Sequence, residues 1–222
     1  MVKIAANLFR SILCLNGDIP KKSFFNQFSG IPVIAADRAG MSLIQMGVTP
    51  EMVIGDFDSF SGDLYNKGTK FLKYTDQNST DFEKCIVTMN QKLLFPALVC
   101  GAFGQEIDHT INNMHCLMKY GCKYPMVFYD HAVAAKPKWC MPIYSQFNFK
   151  AIKGEIISLL PYPEAVISTK GLKWDLDNVL LSVTGLSSAR NRAQKVDVEI
   201  QVHNGQVMIV IGRLMLNEDW YK

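Results

Sequence analysis

The chain has 222 residues, a hydrophobic fraction of 49%, a charged fraction of 19% and a formal net charge of +3. This length allows one large domain or two small ones, each with a filled core. The small net charge argues against a nucleic-acid-binding protein, and no uncharged stretch reaches the ~20 residues that a membrane span needs. With no clear signal cleavage site and no Cys-x-x-Cys pair among its six cysteines, we expect a cytoplasmic protein with buried, reduced thiols.

Short apolar runs alternate with segments of helical spacing over the first 130 residues. Six runs are predicted strands, at residues 12–15, 33–36, 52–54, 71–74, 97–100 and 126–129. Apolar residues three or four apart predict helices between them, one of which presents a face of Ile107, Ile111, Met114, Leu117 and Met118. Such strands and helices predict an α/β domain with a doubly wound, mostly parallel sheet in a Rossmann-like three-layer arrangement.

The pattern changes near residue 135, where short strands and turn residues replace helical spacing. Residues 196–202 alternate between apolar and polar side chains, and Asn204-Gly205 predicts a type I′ turn before a returning strand at residues 207–211. We therefore predict a hairpin in which Val202 faces Val207, within a C-terminal all-β sandwich. The predicted domains span residues 1–138 and 139–222.

Asp56 and Asp58 follow an apolar strand and flank Phe57. At strand spacing both carboxylates would point to one side, and acids at the carboxyl ends of parallel strands gather in the crevice where α/β sheets bind ligands. Because like charges held close repel each other, the pair indicates a Mg²⁺ site for a nucleotide phosphate. The alternative is a solvated turn acid followed by a helix cap at Asp58-Ser59.

A second group of polar residues precedes the next predicted helix. Thr80 and Glu83 form a capping-box pattern, Asp81 falls in the first turn, and Asp76-Gln77 lie in the loop before it. Asp76-Gln77 could reach the same crevice. An acid in the first turn is also stabilised by the helix dipole, so Asp81 has a structural explanation beside the functional one.

A glycine loop, Gly101-x-x-Gly104, joins a predicted strand to the helix that begins near Asp108. Such a loop lets phosphate oxygens approach backbone N–H groups at a helix start. The loop is not a P-loop, because no Gly-Lys-Ser/Thr follows. Asp108 has the same structural alternative as Asp81.

Trp174 lies in a polar stretch, residues 171–178, and a second polar stretch spans residues 185–191. The pattern alone favours a core aromatic at Trp174. The functional alternative is a platform on which a flat cationic ring stacks, an attraction worth ~0.5–2 kcal/mol.

Taken together, these residues resemble the thiamin pyrophosphokinase family. The resemblance covers nearly the whole chain, in the family's order, through Ala36-Asp37, Gly47-Val-Thr-Pro50, Gly55-Asp-Phe-Asp-Ser59, Asp76-Gln77, Thr80-Asp-Phe-Glu-Lys84, Gly101-Ala102, Asp108-His-Thr110, Asn113 and Gly171-Leu-Lys-Trp174. The combination of the Gly-Asp-Phe-Asp-Ser, Asp-Gln…Thr-Asp-Phe and Asp-His-Thr motifs is highly specific, whereas each motif alone is weak.

The resemblance implies a cytoplasmic homodimer in which an α/β domain (residues 1–138) binds ATP and a β-sandwich (residues 139–222) completes the thiamine site. The implied reaction is the Mg²⁺-dependent transfer of a pyrophosphoryl group from ATP to the hydroxyl of thiamine, giving thiamine diphosphate and AMP. By position, the implied catalytic and metal-binding residues are Asp56, Asp58 and Asp81, with Asp81 the candidate general base. The implied ATP-binding residues are Asp37, Arg38, Gln77, Thr80, Gly101, Asp108 and His109, and the implied thiamine contacts are Trp174, Ser188 and Asn191.

The chain departs from the family's common pattern in three segments. Arg38-Ala-Gly-Met41 stands where the family often has a glycine-rich segment with an Asn, and Gly104-Gln-Glu106 stands where Gly-Gly-Arg is common. Losing that arginine removes a phosphate partner, for which Arg38 or Lys84 is a candidate substitute. Ser188-Ala-Arg-Asn191 replaces Ser-x-Ser-Asn, a change that bears on acceptor preference.

Two other functions are compatible with the same residues. One is an Asp-x-Asp phosphatase in which Asp56 attacks phosphate and Asp58 is the acid, although the preceding Gly55 and the lack of an obvious later Lys followed by a paired-acid motif argue against it. The other is a non-catalytic thiamine- or nucleotide-binding protein that lost turnover through the changes at Arg38, Gln105 and Glu106.

Overall fold

The computed structural model describes residues 6–58, 68–131, 137–213 and 216. Ser59, which closes the Asp-x-Asp-Ser motif, lies outside these ranges. The described residues fall into two compact units. The first runs to Cys116 and includes Tyr124–His131, and the second comprises Leu117–Lys123 and the described residues from 137 onward. In the described ranges, no helix has the length and apolar character needed to cross a membrane.

The first unit is an α/β fold. Its strands are β1 (Ser11–Cys14), β2 (Val33–Ala36), β3 (Met52–Gly55), β4 (Lys70–Lys73), β5 (Ala97–Cys100) and β6 (Met126–Asp130). Its helices are α1 (Lys22–Phe25), α2 (Ala39–Gln45), α3 (Asp81–Gln91) and α4 (Ile107–Tyr120), the last of which continues into residues of the second unit, and two short 3-10 helices span Ala6–Leu8 and Asn26–Phe28. All six predicted strands are therefore present, within one residue of their predicted bounds.

The strands of the first unit form a parallel sheet in the order β6-β5-β1-β2-β3-β4. Strands β1, β3 and β5 are buried along their whole length, as expected for a parallel sheet covered on both faces. The chain runs outward from β1 through β4 and then returns to the other side of β1 at β5. This reversal of strand order is where ligands bind in open α/β sheets, at the carboxyl ends of the strands.

The predicted apolar face of α4 is only partly buried. Ile107 is 76% exposed and Ile111 is 48% exposed, whereas Leu117 and Met118 are buried. The predicted helix is present, but the face that these residues share is buried only in its second half. Spacing identifies which residues share a face, but it does not say whether another element covers that face.

The second unit is built from antiparallel strands. They are β7 (Lys138–Ile143), β8 (Gln146–Lys150), β9 (Ile156–Lys170), β10 (Val179–Ser182), β11 (Ser188–Arg192) and β12 (Asp197–Ile211). The first half of β9 lies between β11 and the second half of β12, which also pairs with β7. The second half of β9 lies between β10 and the first half of β12, which also pairs with β8. The second unit thus consists of two four-stranded halves, and each half contains one part of β9 and one part of β12. This arrangement is the predicted all-β sandwich.

The inward-facing residues of the long strands form the core of this unit. Val198, Ile200, Val207, Ile209 and Ile211 alternate along β12 with at most 1% exposure. Ile157, Leu159, Ala165 and Ile167 of β9 are equally buried. This period-two burial on both long strands is what packs one half of a sandwich against the other.

The predicted hairpin at Asn204-Gly205 was wrong. Both residues lie inside the continuous strand β12, which pairs with β9 along its length, and the register shifts on either side of them. Gly205 has φ 75°, the left-handed conformation that a glycine supplies at a β-bulge as readily as at a turn. The Asn-Gly pair therefore bends one strand instead of joining two, because β9 offers a partner on both sides of it.

The structure describes all six cysteines, and none of them forms a disulfide bond. Five are buried, as expected, and Cys122 is exposed. Cys14 and Cys100 lie opposite each other on β1 and β5, and burial raises the pKa of the Cys100 thiol well above its ordinary value. Because the thiolate is the reactive form, this thiol is chemically inert at neutral pH.

Candidate active site

The carboxyl ends of the strands in the first unit surround a cleft of about 710 Å³. Residues after β1, β2, β3 and β5 line it, together with the first turns of α3 and α4. The cleft brings together the predicted site residues Asp37, Arg38, Asp56, Asp58, Thr80, Asp81, Gly101, Asp108 and His109. The predicted ATP-binding residue Gln77 lies outside the lining and instead donates a hydrogen bond to Asp56 at 3.3 Å.

Asp37 directly follows β2 and depends on a neighbouring glycine for its position. Its backbone has φ 41°, and its N–H donates to the carbonyl of Ile54 at 2.8 Å. A Cβ atom on Gly55 would lie 2.8 Å from both Cβ and Oδ1 of Asp37. Gly55 therefore leaves the space in which the Asp37 carboxylate lies.

The electrostatics of Asp37 favour a bound cation. Among the described residues, its buried Oδ1 has no hydrogen-bond partner. Burial, followed by the negative charges of Asp81 and Asp56, raises the pKa of Asp37, and the N–H groups of Arg38 and Phe57 only partly offset this. The charges of Asp81 and Asp56 thus disfavour the ionisation of Asp37, a cost that a cation would reduce.

Asp56 and Asp58 are held by a turn and not by strand alternation. Strand β3 ends at Gly55, and Phe57 has φ 59°, so the prediction that the two acids alternate with Phe57 at strand spacing was wrong. The N–H of Asp58 donates to Oδ1 of Asp56 at 3.2 Å, and this hydrogen bond is the largest cause of the lowered pKa of Asp56. Asp56 is therefore readily ionised. The helix-cap alternative at Asp58-Ser59 involves residues outside the described ranges.

The start of α3 places Asp81 beside a buried cation. Thr80 is the N-cap, in a full capping box with Glu83 as predicted. Nζ of Lys84 lies 3.0 Å from Oδ1 of Asp81, and Lys84 is 6% exposed. Burial lowers the pKa of Lys84, but the hydrogen bond and charge of Asp81, with the charge of Asp56, outweigh it and raise the pKa overall. Lys84 is thus a buried positive charge that compensates the negative charge of Asp81.

The pairing of Lys84 bears on the missing loop arginine. Of the two candidate substitutes, Arg38 lines the cleft, whereas Lys84 lies outside the lining and is bound to Asp81. Arg38 is therefore the better placed of the two to meet a phosphate group.

The loop after β5 approaches the end of β1 closely. Gly101 has φ 69°, and a Cβ atom there would lie 2.2 Å from the carbonyl oxygen of Leu15. The N–H of Gly17 donates to the carbonyl of Gly101 at 2.8 Å, and Nδ2 of Asn113 donates to the carbonyl of Ala102 at 3.0 Å. These contacts fix the backbone that borders the cleft.

The sequence reasoning missed Asn16 and Gly17, which line the cleft after β1. Asn-Gly looked only like the end of a strand. Their role follows from the central place of β1 between β5 and β2, and strand order is not visible in a single sequence. Gln105 and Glu106, noted only as departures from the family, also line the cleft.

The predicted metal-binding acids do not form a preassembled cage. In the described ranges, no group of three or more His, Cys, Asp and Glu side chains is close enough to hold a metal ion. Mg²⁺ usually takes only one or two carboxylates and completes its shell with water and substrate phosphates. The four acids Asp37, Asp56, Asp58 and Asp81 line the same cleft, and their carboxylate oxygens are of the kind that Mg²⁺ prefers as ligands.

A second pocket, of about 230 Å³, lies within the second unit. It brings together the three predicted thiamine contacts, Trp174, Ser188 and Asn191, with a mostly apolar lining that includes Leu176, Leu181 and Leu186. Trp174 is 54% exposed, so the interpretation as a core aromatic was wrong. Nζ of Lys173 lies 4.5 Å from the centroid of its ring, which shows that a cation can bind a face of this side chain.

Comparisons with known proteins find matches to both parts of the chain. The family model "Thiamin pyrophosphokinase, catalytic domain" matches residues 29–128, and "Thiamin pyrophosphokinase, vitamin B1 binding domain" matches residues 145–207. Thiamine pyrophosphokinase 1 of Arabidopsis thaliana is 32% identical over 167 residues, which cover 68% of this chain and 61% of the relative. Thiamin pyrophosphokinase 1 of Caenorhabditis elegans is 26% identical over 151 residues, 64% of this chain and 62% of the relative. The chain thus matches somewhat less than two thirds of the length of these relatives.

Solved structures share the fold. The yeast thiamin pyrophosphokinase structure aligns with a TM-score of 0.74 and 20% identity, covering 92% of this chain and 88% of that one. The Candida albicans enzyme aligns with a TM-score of 0.72 and 17% identity, covering 93% and 90%. With two family models that succeed each other along most of the sequence, the chain belongs to the thiamin pyrophosphokinase family.

Proposed function

We propose that this protein transfers a pyrophosphoryl group from ATP to the hydroxyl of thiamine in a Mg²⁺-dependent reaction. The hydroxyl oxygen of thiamine attacks the β-phosphorus of ATP and loses its proton. The bond from the β-phosphorus to the α,β-bridging oxygen breaks, and AMP leaves with that oxygen. The observation that carries the proposal is the group of carboxylates at the strand ends of a family member, with Asp37, Asp56, Asp58 and Asp81 lining one cleft.

The cleft supplies positioning and charge compensation, which are the main needs of phosphoryl transfer. Asp56, Asp58 and Asp81 would hold Mg²⁺ together with phosphate oxygens, and the bound ion would neutralise charge that develops on the polyphosphate. Arg38 would contact phosphate from the β2 side, and the backbone after Gly101 would approach it at the start of α4. Asp81 is our candidate to accept the proton of the thiamine hydroxyl.

The pocket of the second unit suits the thiamine end of the reaction. Thiamine carries a flat, cationic thiazolium ring, and the exposed face of Trp174 would attract such a ring. The leucine side chains of the pocket would cover apolar parts of the ligand. We assign ATP to residues 1–138 and thiamine recognition to residues 139–222, in a cytoplasmic protein.

We also propose that the protein is a homodimer. Outside the pocket of the second unit, the large apolar side chains of Leu180, Val183 and Val196 are exposed, and a partner subunit would cover them. Light scattering should give twice the chain mass of 25.0 kDa. A monomeric mass at micromolar concentration would refute this assignment.

The reaction is tested by incubating the protein with ATP, Mg²⁺ and thiamine and separating the nucleotides by chromatography. We expect AMP and thiamine diphosphate, formed only when all three are present. ADP as the nucleotide product would refute pyrophosphoryl transfer. Trapping a phosphorylated Asp56 would favour the phosphatase, although both oxygens of that carboxylate already accept hydrogen bonds. Thiamine binding without AMP release would favour the non-catalytic binding protein.

A further inference from the structure

The side chain of Asn191 lies in the wall of the second unit's pocket with all its hydrogen-bonding capacity in use. Asn191 is on β11 and is 3% exposed. Its Nδ2 donates to the carbonyl of Trp174 at 2.8 Å and to Oγ of Ser188 at 3.2 Å. Its Oδ1 accepts from the N–H of Trp174 at 3.3 Å and from the N–H of Arg192 at 2.8 Å. An asparagine amide has two donor hydrogens and two acceptor sites, so none is left for a ligand.

These hydrogen bonds act on the backbone of Trp174, whose ring is also contacted by Nζ of Lys173. Trp174 is 54% exposed, so its ring position depends on the loop that carries it. Asn191 binds both backbone groups of Trp174, and the N–H of Lys173 donates to the carbonyl of Arg192 at 2.8 Å. Strand β11 therefore fixes the backbone from which the ring projects.

The other end of the same loop is fixed independently. The carboxylate of Asp175 accepts from the N–H groups of Gly171 at 3.1 Å and Leu172 at 2.9 Å. It also accepts from the hydroxyl of Thr169 at 3.2 Å. Asp175 thus holds the start of the loop, whereas Asn191 binds the backbone of Trp174 itself.

Asn191 also orients the hydroxyl of Ser188. Because Oγ of Ser188 accepts a hydrogen bond from Nδ2 of Asn191, its own hydrogen is free to point elsewhere. Ser188 lines the same pocket. One amide therefore sets both a flat aromatic surface and a hydroxyl donor within a single pocket.

We propose that Asn191 is a positioning residue that fixes Trp174 and Ser188 for ligand recognition and does not itself bind the ligand. The part of this inference that concerns thiamine rests on the proposed function; the part that concerns Trp174 does not. This assignment differs from the role as a direct contact that position in the sequence implies. Holding a recognition surface in place before binding reduces the entropy lost on binding.

The first test needs no ligand. In a ¹⁵N-correlated NMR spectrum, the indole resonance of Trp174 is assigned by its loss in Trp174→Phe. We expect Asn191→Ala to shift or broaden this resonance. Asn191→Asp keeps the two accepted hydrogen bonds but places a carboxylate oxygen against the carbonyl of Trp174, and this repulsion should also shift the resonance. Ile200→Val, a core substitution in β12, is the control for general destabilisation and should leave the resonance in place. An unchanged Trp174 resonance in folded Asn191→Ala would overturn the proposal.

The second test is a double-mutant cycle on thiamine binding by calorimetry. We expect Asn191→Ala to raise the Kd for thiamine about tenfold in the wild-type background and less than about threefold in Trp174→Ala, because a residue that acts through Trp174 has less effect once the ring is gone. The Kd for ATP should not change. Equal losses in both backgrounds would identify Asn191 as a direct contact and overturn the proposal. If the wild type binds no thiamine, the proposed function fails, and the NMR test alone decides the role of Asn191.

Discussion

At the residue scale, the electrostatics of the cleft depend on its negatively charged carboxylates and on the positive charge of Lys84. Asp37 is the acid most disfavoured by its surroundings, since burial and two neighbouring carboxylates raise its pKa. Asp56 is favoured by hydrogen bonds from Asp58 and Gln77, which lower its pKa. Lys84 compensates part of the negative charge from within the protein. The remainder is the electrostatic cost that a Mg²⁺–polyphosphate complex would relieve.

Replacing Asp37 by Asn should stabilise the metal-free protein while impairing the reaction. Asparagine tolerates the positive φ of this position, and the change removes one charge from the cluster with Asp81 and Asp56. We expect Tm in metal-free buffer at neutral pH to rise by about 1–3 °C and kcat/KM for Mg²⁺–ATP to fall at least about tenfold. Thermal unfolding and a steady-state assay measure the two effects. Asp177→Asn, at an exposed position of the second unit, is the charge control. A Tm for Asp37→Asn at or below that of the control would contradict the account.

The pH dependence of stability should have opposite signs for Asp37 and Asp56. The raised pKa of Asp37 disfavours its ionised form in the folded state, so this residue costs stability that grows as pH rises from the ordinary value of 3.8 to the raised pKa and is constant above it. The lowered pKa of Asp56 contributes stability above 3.8 that is lost as pH falls through the lowered value. In urea unfolding of metal-free protein, Asp37→Asn should gain stability over the wild type as pH rises, and Asp56→Asn should lose it. Parallel pH profiles for the two variants would count against this assignment.

Removing the charge of Lys84 should destabilise the metal-free protein, whereas removing the charge of Asp37 should stabilise it. Lys84→Met leaves Asp81 without its 3.0 Å partner, and we expect a loss of about 1–3 kcal/mol in the free energy of unfolding without metal. Mg²⁺–ATP should restore part of this loss, since it supplies the missing positive charge. Lys84→Arg keeps the charge and should lose less. Denaturant unfolding with and without Mg²⁺–ATP measures this, and a Lys84→Met protein as stable as the wild type would contradict it.

At the scale of elements, the site depends on where strands end and what they leave open. Asp37 comes directly after β2 and lies over Gly55, the last residue of β3. Two neighbouring strands thus define one carboxylate position between them. The capping box on α3 similarly fixes the first turn that carries Asp81.

Adding a methyl group at Gly55 should displace the Asp37 carboxylate, because the new Cβ would lie 2.8 Å from its Oδ1. We expect Gly55→Ala to lower kcat/KM by ~10²-fold, the order of loss that a 1 Å misplacement causes. Gly212→Ala is the matched control, since its Cβ would meet no atom closer than 3.5 Å. A Gly55→Ala enzyme with wild-type kcat/KM would show that the close approach is unimportant.

The elements also show how far local pattern predicts structure. The parallel strands were predictable because buried strands leave continuous apolar runs, and the capping box because its two residues are three apart. The bulge at Asn204-Gly205 was not predictable, because the same dipeptide occurs both in turns and in bulges. Which of the two forms here depends on pairing with the partner strand β9. The turn at Asp56–Asp58 stood only as the alternative to strand spacing, because the positive φ of Phe57 has no sequence signal in a non-glycine residue.

At the scale of the whole molecule, the candidate residues divide by unit as the resemblance implied. The cleft of the first unit gathers nine of the predicted catalytic and ATP-binding residues, and the pocket of the second gathers the three predicted thiamine contacts. These residues were predicted from the order of the family's motifs along the chain. Asn16 and Gly17, and the supporting role of Asn191, required the strand order and the hydrogen bonds, because both depend on residues distant in sequence.

The central claim is that the carboxylate cleft serves pyrophosphoryl transfer, and the product balance followed by ³¹P NMR tests it most directly. ATP labelled with ¹⁸O at the α,β-bridging oxygen is incubated with thiamine, with Mg²⁺ or with excess chelator. We predict equal amounts of AMP and thiamine diphosphate, with the label in AMP, and no turnover in chelator. ADP with thiamine monophosphate, or inorganic phosphate released without consumption of thiamine, would contradict the claim.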